Sequence, residues 1–166
     1  MKRLFLIISG LILIISLSSC KNNKKVTNTI SLNTNDISKD TTSNIGDDYM
    51  DKILCLKIGN EELDINWLDN NSVSDLKKIS KDTLIINMHE YGGFEQTGMI
   101  GKTIRSNDSE INVIPGDIVL YNSNQISIFY NNSKWSYTKL GHINLSNEKL
   151  NNLLNVASVT VTFYLK

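Results

Sequence analysis

Residues 115–130, PGDIVLYNSNQISIFY, decide the fold of this chain. A Pro-Gly-Asp turn at 115–117 precedes the apolar run 118–121. A second turn, Asn-Ser-Asn at 122–124, leads into 126–130, where apolar and polar or aromatic side chains alternate. Short apolar or alternating runs bounded by Gly, Pro, Asn and Ser are typical of strands joined by turns. This stretch therefore predicts two β-strands.

Strand-like patterns of the same kind occur before and after residues 115–130. Two runs around the Gly59-Asn60 turn, 53–58 and 63–67, predict a hairpin, and further strand-like runs cover residues 83–88, 135–142 and 159–164. Helical spacing of apolar residues predicts a short helix over 73–80, with Ser72 as its N-cap and Asp75 three residues later. A second short helix is predicted after Ser146, its N-cap, and carries Leu150, Leu153 and Leu154. Many short strands with two helices predict a mainly β domain, a sandwich or a barrel.

The amino terminus has the layout of a secretory signal. Lys2 and Arg3 precede an apolar run at 4–17, which is shorter than the roughly 20 residues that a membrane-spanning helix needs. The ending Leu17-Ser18-Ser19-Cys20 resembles the lipobox of bacterial lipoproteins. That resemblance implies cleavage before Cys20 and a diacylglycerol on its thiol. The alternative is a plain signal-anchor with an incidental cysteine.

Composition changes along the chain divide it into three parts. Residues 1–19 are the expected lipoprotein signal peptide. Residues 20–49 are the lipidated Cys20 and a flexible tether, rich in Asn, Thr, Ser, Lys and Asp, with too few apolar residues to offset the entropy of ordering. An extra strand near Ile30 is the alternative for part of it. Residues 50–166 are the expected folded β-barrel domain.

Bulk composition excludes several classes of function. Lys plus Arg and Asp plus Glu both number 17, so no net field attracts nucleic acid. With Cys20 acylated, the two His and Cys55 are too few for a Cys/His zinc site, and no phosphate-binding glycine loop occurs. We therefore expect no metal and no cofactor. Cys55, between Leu54 and Leu56, is predicted to be a small buried hydrophobe, with a reactive thiol as the alternative.

Several motifs, taken in order, resemble the bacterial cyclophilin-like domain family. They are residues 87–95 (NMHEYGGFE), 115–121 (PGDIVLY), 128–130 (IFY), 135–141 (WSYTKLG) and 159–163 (VTVTF). The similarity covers about residues 51–166. It implies a closed antiparallel cyclophilin-like β-barrel with two short helices, in agreement with the strand pattern.

The resemblance also frames the question of catalysis. True cyclophilins are peptidyl-prolyl isomerases whose active site lies on the outer face of the barrel and uses an arginine carried by a Phe-His-Arg motif. The matching residues here are Met88-His89-Glu90, with an acid in place of the cation. A carboxylate cannot donate a hydrogen bond to the twisting amide. Arg105 is the alternative source of the missing cation.

Nine residues are candidates for a ligand-binding groove. Glu90 and Glu95 flank a glycine bend and are either a carboxylate pair or two solvated charges. Tyr91 and Phe94 on that bend either grip a ligand side chain or cap the barrel. The remaining aromatic residues lie close together in sequence, and alternation must turn some of them outward, whereas the others pack in the core: Tyr121, Phe129, Tyr130, Trp135 and Tyr137.

Other chemistry is less well supported by the sequence. His89 and His142 are expected to be surface or hydrogen-bonded structural residues. Ser136, His142 and Asp117 have the residue types of a hydrolase triad, but no nucleophile-elbow motif surrounds Ser136. No catalytic residue is therefore assigned.

Three functional hypotheses follow. The first is a lipoprotein anchored by Cys20 to the extracytoplasmic face of a bacterial cell membrane, whose cyclophilin-like domain binds a peptide or small molecule without strong catalysis. The second is a prolyl isomerase that assists the folding of secreted proteins. The third is a structural lipoprotein, which predicts no groove between the 90–94 bend and the strands of residues 121–137.

Overall fold

The computed structural model describes residues 48–166. The expected signal peptide, Cys20 and nearly all of the expected tether lie outside the described residues. The secondary structure of residues 48–166 comprises a short 3-10 turn at Ser80–Asp82, two α-helices, α1 (Asn71–Ile79) and α2 (Asn147–Leu154), and ten strands: β1 (Leu54–Ile58), β2 (Glu61–Leu63), β3 (Ile65–Trp67), β4 (Leu84–Tyr91), β5 (Glu95–Met99), β6 (Ser109–Val113), β7 (Asp117–Tyr121), β8 (Gln125–Phe129), β9 (Ser133–Ile143) and β10 (Ser158–Leu165).

The strands form a nearly closed antiparallel barrel. Their order is β2-β1-β10-β4-β5-β8-β7-β9-β3, and β6 adds to β9 outside this path. The two end strands, β2 and β3, are consecutive in sequence and are separated only by Asp64. The chain therefore bends at Asp64 from one edge of the sheet to the other. The expected fold class, a mainly β antiparallel barrel with two short helices, is confirmed.

The first hairpin shows how alternation builds the barrel wall. β1 and β2 pair across a turn at Gly59, whose φ of +57° suits glycine. Leu54, Leu56 and Ile58 are buried. Cys55, on the opposite face, is partly exposed, which corrects the expectation of a buried thiol. The predicted second run, 63–67, is split, because its last three residues pair with β9 instead of β1.

The barrel interior is one apolar cluster drawn from nearly every strand and both helices. Its fully buried members include Leu56, Met88, Ile118, Ile128, Leu140 and Phe163. Trp67 packs on Phe163 with ring centroids 6.3 Å apart, and its indole N–H donates to the Leu54 carbonyl at 2.8 Å. These contacts hold the short strand β3, which pairs with β9, against β1 and β10.

The helices add their apolar faces to the same interior. α1 is capped by Asn70, whose side chain accepts from the Val73 N–H at 2.9 Å, so the predicted Ser72 cap is wrong. α2 is capped by Ser146 as predicted. The buried Gln96 amide donates to the carbonyls of Leu154, at 2.8 Å, and Val156, at 2.5 Å, and so ties β5 to the end of α2.

Two segments are more regular than the sequence indicates. The glycine-punctuated segment 90–101 contains the whole of β5, which passes so close to β4 that a Cβ on Gly98 would lie 2.6 Å from Ile86 Cγ2. The polar stretch 106–110 runs into β6, which begins at Ser109. No helix within residues 48–166 is both long and apolar enough to cross a membrane.

Candidate functional site

A second apolar cluster lies apart from the barrel interior, where β6 extends the sheet beside β9. Val113, Val119, Phe129 and Tyr137 are its buried members. Phe94, Ile111 and Tyr121 pack against them and are partly buried. Val119 and Phe129 alternate with interior residues of β7 and β8, so this cluster stands on the outer face of those strands.

A groove of about 500 Å³ opens over this outer cluster. Strands β4, β5, β7, β8 and β9 all contribute to it. The lining residues are Tyr91, Phe94, Glu95, Thr97, Tyr121, Gln125, Ser127, Ser133, Lys134, Trp135 and Tyr137. A cleft of this size fits a small molecule or a few residues of a peptide. It lies between the 90–94 bend and the strands of residues 121–137, where the structural-lipoprotein hypothesis predicts none.

Aromatic rings form much of the groove surface. Phe94 stacks on buried Phe129 with centroids 6.2 Å apart, and Tyr137 meets Phe129 edge-on at 5.6 Å. Tyr91 is 62% exposed and contacts Phe94 edge-on at 6.0 Å, whereas Trp135 is 60% exposed. The rings at the base of the groove are therefore held by packing on Phe129, whereas Tyr91 and Trp135 at its rim are largely exposed.

Glu95 places a carboxyl group among these rings. It lies directly opposite Tyr91 in the β4–β5 hairpin and opposite Phe129 on β8. Its side chain is 4% exposed, and Oε2 accepts no hydrogen bond from any residue in the range 48–166. Burial raises the pKa of the carboxyl from 4.5 to about 7, and the Ser127 hydroxyl opposes only part of this rise.

A polar row continues from Glu95 along the same face. Thr97 lies opposite Ser127 in register, and its hydroxyl accepts from Gln125 Nε2 at 2.6 Å and from Ser127 Oγ at 2.9 Å. Sequence reasoning missed these residues. The available signal was the period-two placement of Glu95 and Thr97 on one strand and of Gln125 and Ser127 on another, which marks one polar face.

Six of the nine sequence candidates line the groove: Tyr91, Phe94, Glu95, Tyr121, Trp135 and Tyr137. Phe129 lies beneath it as part of the floor. Glu90 and Tyr130 are not lining residues. Tyr130 belongs to the barrel interior, and its hydroxyl donates to Glu90 Oε1 at 3.3 Å. Glu90 also accepts from the Gly93 N–H at 2.5 Å.

The two carboxylates are therefore not a pair. Glu90 pairs with Gln96 across the hairpin, one position away from the Tyr91–Glu95 pair, so Glu90 and Glu95 lie on opposite faces of the sheet. This geometry excludes an acid and base acting together on one substrate. Glu90 stabilises the bend, whereas Glu95 faces the groove.

Arg105, the predicted alternative source of a catalytic cation, does not reach the groove. Arg105 binds Asp75 on α1 and lines a different cleft, with Asn70 and Lys139. Lys134 is the single cationic residue in the groove lining, and its ammonium pairs with Glu110 at 2.7 Å. The groove therefore has aromatic walls, one buried carboxyl and no unpaired cation of its own among its lining residues.

The hydrolase triad is also excluded by placement. Asp117 is fully buried and accepts from His142 Nδ1 and from Lys139 Nζ, each at 2.8 Å. Ser136 is exposed six residues away along β9, opposite Glu110. Because strand residues are spaced by about 3.3 Å, Ser136 is roughly 20 Å from His142. His89 is exposed on β4, and residues 48–166 contain no cluster of three metal-ligating side chains.

The fold and its outer groove define a single antiparallel β-barrel domain with a ligand-sized cleft on its wall. The sequence profile described as the cyclophilin-like family matches residues 56–164. The chain belongs to the cyclophilin-like family. Comparisons with curated proteins and with solved structures gave no match.

Proposed function

We propose that this protein is a lipid-anchored, extracytoplasmic binding protein whose groove takes a peptide or a small molecule without strong catalysis. The observation that carries the proposal is the groove itself: about 500 Å³, rimmed by exposed Tyr91 and Trp135 and floored by rings fixed on buried Phe129. Large exposed aromatic side chains around a cleft are typical of binding sites, because their burial by a ligand is favourable.

The absence of an isomerase-type cation from the groove lining favours binding over catalysis. Prolyl isomerisation needs a donor that stabilises the amide as it twists out of plane, where its barrier is about 20 kcal/mol. Arg105 is held by Asp75, and Lys134 by Glu110. A groove whose lining has no unpaired cation can bind a ligand, but it does not supply that donor.

Anchoring rests on the sequence of residues 2–20. The short apolar run and the small residues before Cys20 support lipidation of that thiol, and the polar residues that follow support a flexible connection to the barrel. Mass spectrometry of the protein from a bacterial host tests this directly. The expected mass is that of residues 20–166 plus a diacylglycerol, and Cys20→Ser should abolish the added lipid.

Binding is tested with a panel of peptides acetyl-Gly-Xaa-Pro-Gly-amide in which Xaa is varied. The readout is the indole N–H resonance of Trp135 in the full-length protein, held in mild detergent. Trp67 is an internal control, because its indole N–H is bonded to Leu54 within the barrel. We expect saturable shifts at Trp135 and none at Trp67.

The same samples test the alternative activity. Exchange spectroscopy of the Xaa-Pro bond measures isomerisation, which is uncatalysed on a scale of tens to hundreds of seconds. Clear acceleration would replace the binding proposal with an isomerase. If no peptide or small-molecule probe moves Trp135, the groove is not a binding site for these classes.

A further inference from the structure

We infer that the groove recognises a positively charged group of its ligand, an ammonium or a guanidinium, held between the Glu95 carboxylate and the surrounding aromatic rings. This inference rests on the proposed binding function and specifies the chemistry of the ligand. It is carried by a buried acid that lacks a partner and by the rings placed around it.

The first observation is the unsatisfied acid. Glu95 is more than nine-tenths buried and lines the groove, yet Oε2 has no donor within residues 48–166. Buried carboxylates are ordinarily paired or hydrogen-bonded, since an isolated charge in an apolar setting is costly. A missing donor in a cleft that is open to solvent indicates that a ligand supplies it.

The second observation is the composition of the walls. Tyr91, Phe94, Tyr121, Trp135 and Tyr137 line the groove together with Glu95. Aromatic faces attract cations through the ring quadrupole, and several rings around one acid are a typical arrangement for binding ammonium groups. Tyr91 is the exposed cross-strand partner of Glu95, so it is the ring that can turn aside to admit a ligand to Oε2.

The third observation is that the neighbouring cation is already engaged. Lys134 at the rim pairs with Glu110 on β6. No arginine is among the lining residues. The carboxylate therefore has no counter-charge from the groove wall, and a cationic ligand would meet no competing internal partner.

Protonation of Glu95 gives the recognition a specific pH dependence. With its pKa raised to about 7, the carboxyl is mostly neutral at pH 6 and mostly ionised at pH 8. A cation binds the ionised form, so its apparent affinity should rise roughly tenfold between these values. A ligand that accepts a hydrogen bond from the neutral carboxylic acid would show the opposite trend.

Other titratable and charged groups surround Glu95 and must be separated from it. They are His89 and Tyr91 from β4, Glu90 from the same hairpin, Tyr121 from β7, Tyr130 after β8, and Lys134 and Tyr137 from β9. Burial raises the pKa of Tyr130 and Tyr137, so both phenols stay neutral from pH 6 to pH 8. His89 lies opposite Thr97, on the same face of the sheet as Glu95, so His89→Gln is a required control.

The experiment compares matched peptides on the full-length protein in mild detergent. Acetyl-Gly-Xaa-Pro-Gly-amide is prepared with lysine or its neutral analogue norleucine at Xaa, and with arginine or its neutral analogue citrulline. Affinities are measured from the Trp135 indole shift at pH 6 and pH 8. The variants are Glu95→Gln, His89→Gln and, as a carboxylate outside the groove, Glu90→Gln.

We expect the lysine and arginine peptides to bind at least about tenfold more tightly than their neutral analogues at pH 8. This preference and its pH dependence should disappear in Glu95→Gln and persist in His89→Gln and Glu90→Gln. The pH dependence is measured on the unsubstituted protein as well, so it remains informative if Glu95→Gln does not fold.

Two different failures are distinguishable. Equal affinity for the charged and neutral peptides, or a preference that survives in Glu95→Gln, overturns cation recognition while leaving the binding function intact. If no member of the panel shifts Trp135, the proposed function fails and this inference fails with it.

Discussion

The guanidinium of Arg105 binds the carboxylate of Asp75 at two points, Nε to Oδ2 at 2.8 Å and Nη2 to Oδ1 at 2.7 Å. The Arg105 backbone N–H adds a third bond to Oδ2 at 3.0 Å. These bonds fasten the segment before β6 to α1. They also hold the pKa of Asp75 down, from 3.8 to about 2.

Arg105→Gln should weaken the fold at neutral pH without altering the groove. Because the pKa of Asp75 is depressed in the folded state, the pair stabilises above about pH 4, and that stabilisation is lost as the pH falls toward 2. The midpoint temperature of thermal unfolding should therefore fall less steeply between pH 5 and pH 2 in Arg105→Gln than in the parent. Peptide affinity should change by less than about twofold, since the sites are separate. A large loss of affinity would place Arg105 in the binding site after all.

Glu95→Gln should change how stability depends on pH. The folded-state pKa of Glu95 is raised from 4.5 to about 7, so the protein loses stability as the pH rises through this window. The loss between pH 5 and pH 8 should be roughly 2 kcal/mol in the parent and absent in Glu95→Gln. Urea unfolding at both pH values measures it. Parallel pH profiles for the two proteins would show that the carboxyl is not buried in a charge-disfavouring site.

Asp117→Ala should be destabilising without touching the groove. The buried carboxylate accepts from His142, from Lys139 and from the Ile114 N–H at 3.2 Å, which fixes the turn into β7. Its removal leaves that amide without an acceptor and should cost about 2–3 kcal/mol of unfolding free energy. Ser136→Ala, at an exposed position on the neighbouring strand, should change stability by less than about 0.5 kcal/mol. Comparable losses in the two variants would contradict this account of Asp117.

Substitutions of two aromatic residues at the groove should have different effects, one mainly on peptide affinity and the other mainly on stability. Trp135 is largely exposed at the rim, so Trp135→Ala should reduce peptide affinity about tenfold or more while costing under about 1 kcal/mol of stability. Phe129 is fully buried, and Phe129→Ala should cost about 3–5 kcal/mol. Urea unfolding and peptide titration, monitored by tyrosine fluorescence, measure both. Unchanged affinity in Trp135→Ala would show that Trp135 at the rim does not contribute to binding.

The strands were predictable because their signal is local. Alternation along 126–130 correctly placed Phe129 and Tyr130 on opposite faces, but it did not say which face was inside, since that depends on strands distant in sequence. For the same reason Thr97 and Ser127 were missed: they become neighbours only through the register of β5 with β8.

The errors at particular residues have physical causes of the same kind. Ser72 and Asn70 are both good caps, and Asn70 prevails because its amide also donates to the Lys139 carbonyl at 3.0 Å, a contact between distant elements. Glu90 and Glu95 flank one bend, but pairing across that bend sends them to opposite faces. Most of the strands and the aromatic content of the groove were thus accessible from sequence, whereas β5, β6 and the strand pairing that forms the polar row were not.

Strand β10 lies between β1 and β4, and Ile53 and Lys166 exchange both backbone hydrogen bonds at its end. The β1–β2 hairpin therefore has no further strand to pair with in the wall until residues 158–165 have been made. A chain whose first and last strands must meet has a high contact order, and such barrels fold slowly, in milliseconds to seconds. The barrel consequently cannot close before residues 158–165 have been synthesised, and until then β1 and β4 each have an unpaired edge.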